Sequence, residues 1–137
     1  VDTVSYTLAT ENVLINFARS SSGFSEINAS RNYLNSIERG IGGSGNDRLI
    51  GAQATTYLAG GDGDATLSVI GTGAVKTLHG DGGNDTVPGG NGNDLVFGDD
   101  GNDLLRRRAG DDRLAGGNGD HTLQGAFNSE ALGSHGR

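Results

Sequence analysis

Residues 80–106 read GDGGNDTVP, GGNGNDLVF and GDDGNDLLR, three nine-residue units laid end to end. Each puts Gly, Asn and Asp in its first six positions and an apolar residue at its eighth. The same spacing extends in both directions. Upstream lie GGSGNDRLI (42–50), GAQATTYLA (51–59), GGDGDATLS (60–68) and, after a two-residue offset at Val69–Ile70, GTGAVKTLH (71–79). Downstream lie RRAGDDRLA (107–115) and GGNGDHTLQ (116–124). The eighth position is apolar in all nine units: Leu49, Leu58, Leu67, Leu78, Val87, Val96, Leu105, Leu114 and Leu123. The sixth is Asp in five: Asp47, Asp85, Asp94, Asp103 and Asp112.

The period is nine residues. It fits six residues of turn, where glycine supplies φ > 0, followed by a three-residue strand with one inward side chain. Two units then complete one coil, and turns two units apart stack on the same edge, about 4.8 Å apart. One apolar residue per rung makes a thin core. The composition agrees, with 26 Gly, one Pro, 33% hydrophobic residues, 5% aromatics and no Cys, Met or Trp. A disulfide framework, a thiolate metal site and a cysteine nucleophile are excluded.

The net charge is −7, and 12 of the 13 Asp lie at or after Asp47. Such a chain repels nucleic acid and anionic membranes. No apolar run approaches a membrane span. Acids concentrated in glycine-rich turns suit a hard cation, which takes carboxylate and backbone carbonyl oxygens together.

The unit G-G-x-G-x-D-x-U-x, with U apolar, resembles the calcium-binding nonapeptide of the RTX (repeats-in-toxin, hemolysin-type) family. The resemblance implies an all-β fold, a parallel β-roll, that is, a right-handed β-helix-like solenoid over 42–124. It would follow an N-terminal strand-rich spacer (1–41) and precede an irregular tail (125–137). It also implies a ligand set. One calcium site joins Asp81, Gly83 and Asp85 to Gly98, Asp100 and Asp103. A second joins Gly90, Gly92 and Asp94 to Arg107, Ala109 and Asp112, where Arg107 and Arg108 replace the usual glycines. Asp47 below Ala65, Ala65 below Asp85 and Asp103 below His121 are half-sites, with Asp62 and Asp64 near the first. Thr56 and Lys76 leave the 51–59/71–79 pair without a carboxylate, and Lys76 offers an ammonium there instead. Two Ca²⁺ would offset more than half of the net charge.

In the spacer, Val4, Tyr6 and Leu8 alternate, as do Val13, Ile15 and Phe17, and both runs predict half-buried strands. Asp2 and Val4 fit positions six and eight of a further unit, so the reading expects a longer array at the chain start. Residues 18–32 predict a loop. Tyr33–Ile41 fits either a short helix or rungs with Ile37 and Ile41 inward. His79, His121 and His135 lack metal-ligand spacing and are expected on the surface. Arg106–Arg107–Arg108 is expected to be a local charge run.

The function implied is calcium binding by a non-catalytic module of a secreted or cell-surface bacterial protein. It would fold on calcium after type I secretion, beside other repeat blocks or a parent catalytic or toxin domain. Two alternatives have other contexts: the accessory module of an exported protease, lipase or epimerase, or a structural or adhesive repeat that self-associates end to end. The absence of a G-x-S-x-G elbow argues against catalysis by these residues.

Overall fold

The computed structural model describes residues 1–17, 37–72 and 74–125. The loop expected over 18–32, residues 33–36 and the tail beyond Gly125 lie outside the described residues. Twelve short strands follow one another without a helix among the described residues: β1 (Thr3–Ser5), β2 (Leu14–Asn16), β3 (Arg39–Ile41), β4 (Arg48–Gly51), β5 (Tyr57–Ala59), β6 (Thr66–Val69), β7 (Thr77–His79), β8 (Thr86–Pro88), β9 (Leu95–Asp100), β10 (Leu104–Arg106), β11 (Arg113–Asn118) and β12 (Thr122–Gln124).

Odd strands form one six-stranded sheet and even strands the other, each stacked in chain order. Every strand pair is parallel. The chain therefore crosses from one sheet to the other at every turn, which makes a β-roll. Register follows the repeat. Leu78 pairs with Val96 and Val96 with Leu114 in the odd sheet, while Val87 and Leu123 both flank Leu105 in the even sheet.

The eighth-position residues from Leu49 to Leu114 are buried, and Leu123 is half-buried at the top. Together with Ile15, Phe17, Ile37, Ala65 and Val69 they form one continuous core. Each rung adds a single such side chain. Burying one is worth roughly 1.5–3 kcal/mol, so no rung stands alone and order depends on stacking.

The spacer joins the same stack. Val4 pairs with Gly40, and Ile15 with Leu49, so β1 and β2 extend the apolar columns downward. The first strand is shorter than expected, because Leu8 lies in a turn and is exposed. Of residues 37–41, Arg39–Ile41 is strand and not helix, and Ile37 is buried just ahead of it. The strand's inward residue is Gly40, whereas Ile41 stands half-buried on the other side. A Cβ on Gly40 would lie 2.8 Å from Phe17 Cε2, because the Phe17 ring fills the volume an eighth-position side chain would occupy. At the offset, Val69 continues β6 and packs inward, and Ile70 turns out to solvent. The column spacing there widens from 18 to 20 residues, as between Leu58 and Leu78, and the extra pair is absorbed as a lengthened turn.

Candidate metal centre

The turns form two edges. The first edge stacks 6–13, 42–47, 60–65, 80–85, 98–103 and 116–121, and the second stacks 51–56, 71–76, 89–94 and 107–112. Turns within an edge are stitched in both directions. At position six, a carboxylate oxygen of the upper turn accepts the backbone N–H of the turn below. Asp85 accepts from Ala65 at 2.7 Å, Asp103 from Asp85 at 2.8 Å, Asp94 from Lys76 at 2.9 Å and Asp112 from Asp94 at 2.8 Å. At position five the direction reverses. Asn46, Asp64, Asn84 and Asn102 each accept the N–H of the fifth residue in the turn above, at 2.8–3.0 Å. Asn93 does the same for Asp111 on the second edge. Sequence reasoning passed over this ladder, although Asn or Asp occupies position five in seven of the nine units.

All five position-six aspartates are buried. What separates them is the second oxygen. In Asp47 it accepts the Gly43 N–H at 2.6 Å, in Asp94 the Gly90 N–H at 2.7 Å, and in Asp112 the Arg108 N–H at 3.3 Å. In Asp85 and Asp103 Oδ2 is buried with no hydrogen-bond partner. The position-two residues of those two units are Asp81 and Asp99, with φ of 70° and 71°. In neither unit does the position-two N–H bond its own Asp.

A buried carboxylate oxygen without a donor is costly. Burial, with the charges of Asp103, Asp64 and Asp81 and against the lowering effect of the Ala65 N–H, pushes the Asp85 carboxyl up to about 7. Burial also raises Asp103 and Asp112. A Cβ on Gly80 would collide with Asp85 Oδ2 and with the Gly98 carbonyl oxygen, and a Cβ on Gly98 would meet Asp103 Oδ2 and the Gly116 carbonyl. Glycine at position one thus lets a carboxylate and a carbonyl of the next turn converge. An orphaned carboxylate oxygen beside a carbonyl fits a hard dication.

The two expected ligand groups are each brought together as stacked turns. In the first, the Asp100 N–H donates to the Asp81 carbonyl at 2.8 Å, and the Gly83 N–H to the Asp100 carbonyl at 2.9 Å. In the second, the Gly92 N–H donates to the Ala109 carbonyl at 2.7 Å, and both oxygens of Asp94 and Asp112 are engaged. Asp47 is satisfied as well, since its Oδ1 accepts the Val13 N–H at 2.8 Å.

The second edge carries its own cations. Lys76 is fully buried at position six, its Nζ donates to the Gln53 carbonyl at 2.8 Å, and its charge is favoured by Asp94 although burial lowers its pKa. Arg107 is buried too and favours the charged form of Asp112. It is therefore part of the packed edge. The surface expectation fails for His121, whose side chain is wholly buried against Asp103 because position six faces the interior of the turn stack. His79 is partly buried, stacked on Phe97 at 4.6 Å and 2.7 Å from Asp99. His135 lies outside the described residues.

Comparison with protein families matches the RTX calcium-binding nonapeptide repeat, in four copies, over residues 71–105 and 108–126. No curated protein and no solved structure gives a significant match. RTX nonapeptide repeats bind Ca²⁺, and the all-β parallel roll is the architecture such repeats build.

Proposed function

We propose, from a chain that carries the RTX calcium-binding nonapeptide repeat, that the roll binds calcium foremost between Asp85 and Asp103 and is ordered by it. The observation that carries this reading is the buried, unpartnered Asp85 Oδ2 beneath the turn that contributes Gly98 and Asp103. Asp81, Gly83, Asp85, Gly98, Asp100 and Asp103 would hold the ion. Bound calcium supplies positive charge where buried carboxylates otherwise repel.

The chain's own residues do the rest. Asp103 Oδ1 ties its turn to the Asp85 backbone, and the position-five ladder holds the turns at strand spacing. Glycines at position one keep the cradle open. The Asp94/Asp112 pair, with Gly90, Gly92, Arg107 and Ala109, is the weaker site, because its carboxylates are already hydrogen-bonded and flanked by Lys76 and Arg107. Ligand that binds only the folded chain stabilises it by RT ln(1 + [L]/Kd) per site.

The role is non-catalytic, in a protein exported to a calcium-rich exterior, where low internal calcium leaves the chain unfolded until it is outside. Circular dichroism during a calcium titration tests it. β-Structure should rise cooperatively with calcium in the wild type, and Asp85→Ala should need a higher calcium concentration. A spectrum indifferent to calcium would sink the proposal.

A further inference from the structure

Above Asp103 the first edge carries one more turn, 116–121, whose sixth residue is His121. Both side chains are wholly buried, and His121 Nδ1 lies 3.1 Å from Asp103 Oδ2. The same Nδ1 is 3.3 Å from the Asp103 backbone nitrogen. Asp103 Oδ2 and His121 Nε2 both lack a hydrogen-bond partner. The Gly116 carbonyl converges with Asp103 Oδ2 over Gly98, as the Gly98 carbonyl converges with Asp85 Oδ2 over Gly80. The cradle below is thus repeated with one ligand changed from carboxylate to imidazole.

No protonation state of the ring resolves the contacts. If Nδ1 accepts the Asp103 N–H, its lone pair also faces a carboxylate oxygen, and the proton on Nε2 is buried without an acceptor. If Nδ1 carries the proton, it serves Oδ2 but leaves the Asp103 N–H facing a donor. With the ring proton on Nε2, a dication between Oδ2 and Nδ1 takes a lone pair from each and replaces their mutual repulsion with two bonds. Calcium selects oxygen, whereas ions of the zinc class accept imidazole with carboxylate.

We propose that turns 98–103 and 116–121 hold one borderline transition-metal dication of the Zn²⁺ class through Asp103, His121 and the Gly116 carbonyl, apart from the calcium below. The inference rests on reading the first edge as a stack of cation cradles. The other histidine cluster, His79 with Asp81 and Asp99, has ligand atoms within 4.8 Å of one another. Its groups already have partners: His79 and Asp99 bond each other, and Asp81 accepts the Gly61 N–H at 3.1 Å. It serves as the control.

The experiment titrates Zn²⁺, and in parallel Co²⁺ for its visible absorption, into the full chain saturated with calcium. One zinc per chain is expected. His121→Ala should weaken zinc at least tenfold while calcium-induced folding persists. His121→Asp should lose zinc and gain one calcium, and His79→Ala should change neither. Equal zinc binding in wild type and His121→Ala, or loss in His79→Ala instead, overturns the proposal. A chain that calcium fails to fold counts against the calcium reading alone, since the wild-type and His121→Ala zinc curves then still decide this one.

Discussion

Asp103 holds the backbone N–H of Asp85 across 2.8 Å with one carboxylate oxygen and turns the other, buried, toward His121 Nδ1 at 3.1 Å. The two oxygens have separable roles, and substitutions separate them. Asp103→Asn keeps an acceptor for the Asp85 N–H but removes the charge, whereas Asp103→Ala removes both. We expect each to raise the calcium midpoint about tenfold or more, the equivalent of about 1.4 kcal/mol or more. Asp103→Ala should cost a further ~1 kcal/mol of calcium-saturated stability, measured by denaturant unfolding. Identical stabilities would show that the backbone bond contributes nothing.

Acid should stabilise the metal-free roll. The Asp85 carboxyl titrates near 7 in the folded chain, far above its ordinary value of 3.8, because burial penalises its charge. Its contribution is complete below the ordinary value and is lost as pH rises through about 7. Asp103 and Asp112 shift in the same direction. Chelated protein should therefore gain β-structure as pH falls from 7 toward 4. With calcium present the trend should reverse, since protons compete for the same oxygens. Dichroism at fixed temperature across this range checks both arms.

Removing the Lys76 ammonium should destabilise the chain even at saturating calcium. Lys76→Met strands the Gln53 carbonyl and removes a positive charge that interacts with Asp94. A loss on the order of 1–3 kcal/mol is expected from an unpaired buried polar group. If added calcium restored the loss fully, the ammonium would be acting only as an ion competitor.

Gly40 and Phe17 should behave as a pair. Gly40→Ala places a methyl 2.8 Å from the Phe17 ring and 3.0 Å from Leu58 Cδ2, an overpacking that costs about 1–3 kcal/mol. Phe17→Ala opens the same volume. The double variant should be markedly more stable than the sum of the two losses, and strict additivity in a double-mutant cycle would refute the contact.

The apolar columns were readable because Leu78, Val96 and Leu114 repeat at fixed spacing, and only a coil of two units can bury them all. The Phe17–Gly40 exchange was not, because the volume of one rung is filled from a different strand, and periodicity sees only one strand at a time. Position six identified the carboxylates, but not their inequality. That depends on the backbone at Asp81 and Asp99, where a residue other than glycine holds φ near 70°, a conformation that leaves no pattern of spacing. The burial of His121 escaped for a related reason: its solitary spacing suggested exposure, while its place in the stack dictated the opposite.

The two edges also differ in where their counter-charge resides. On the second, Lys76 and Arg107 are covalent parts of the chain, so compensation there is inherited with the sequence and is the same in any medium. On the first, Asp85 Oδ2 is buried without a partner, and Asp103 Oδ2 faces only the imidazole of His121. Half of the roll is thus specified by the gene alone. If calcium completes the other half as proposed, the same polypeptide has a different thermodynamic identity on either side of a membrane that separates two calcium concentrations.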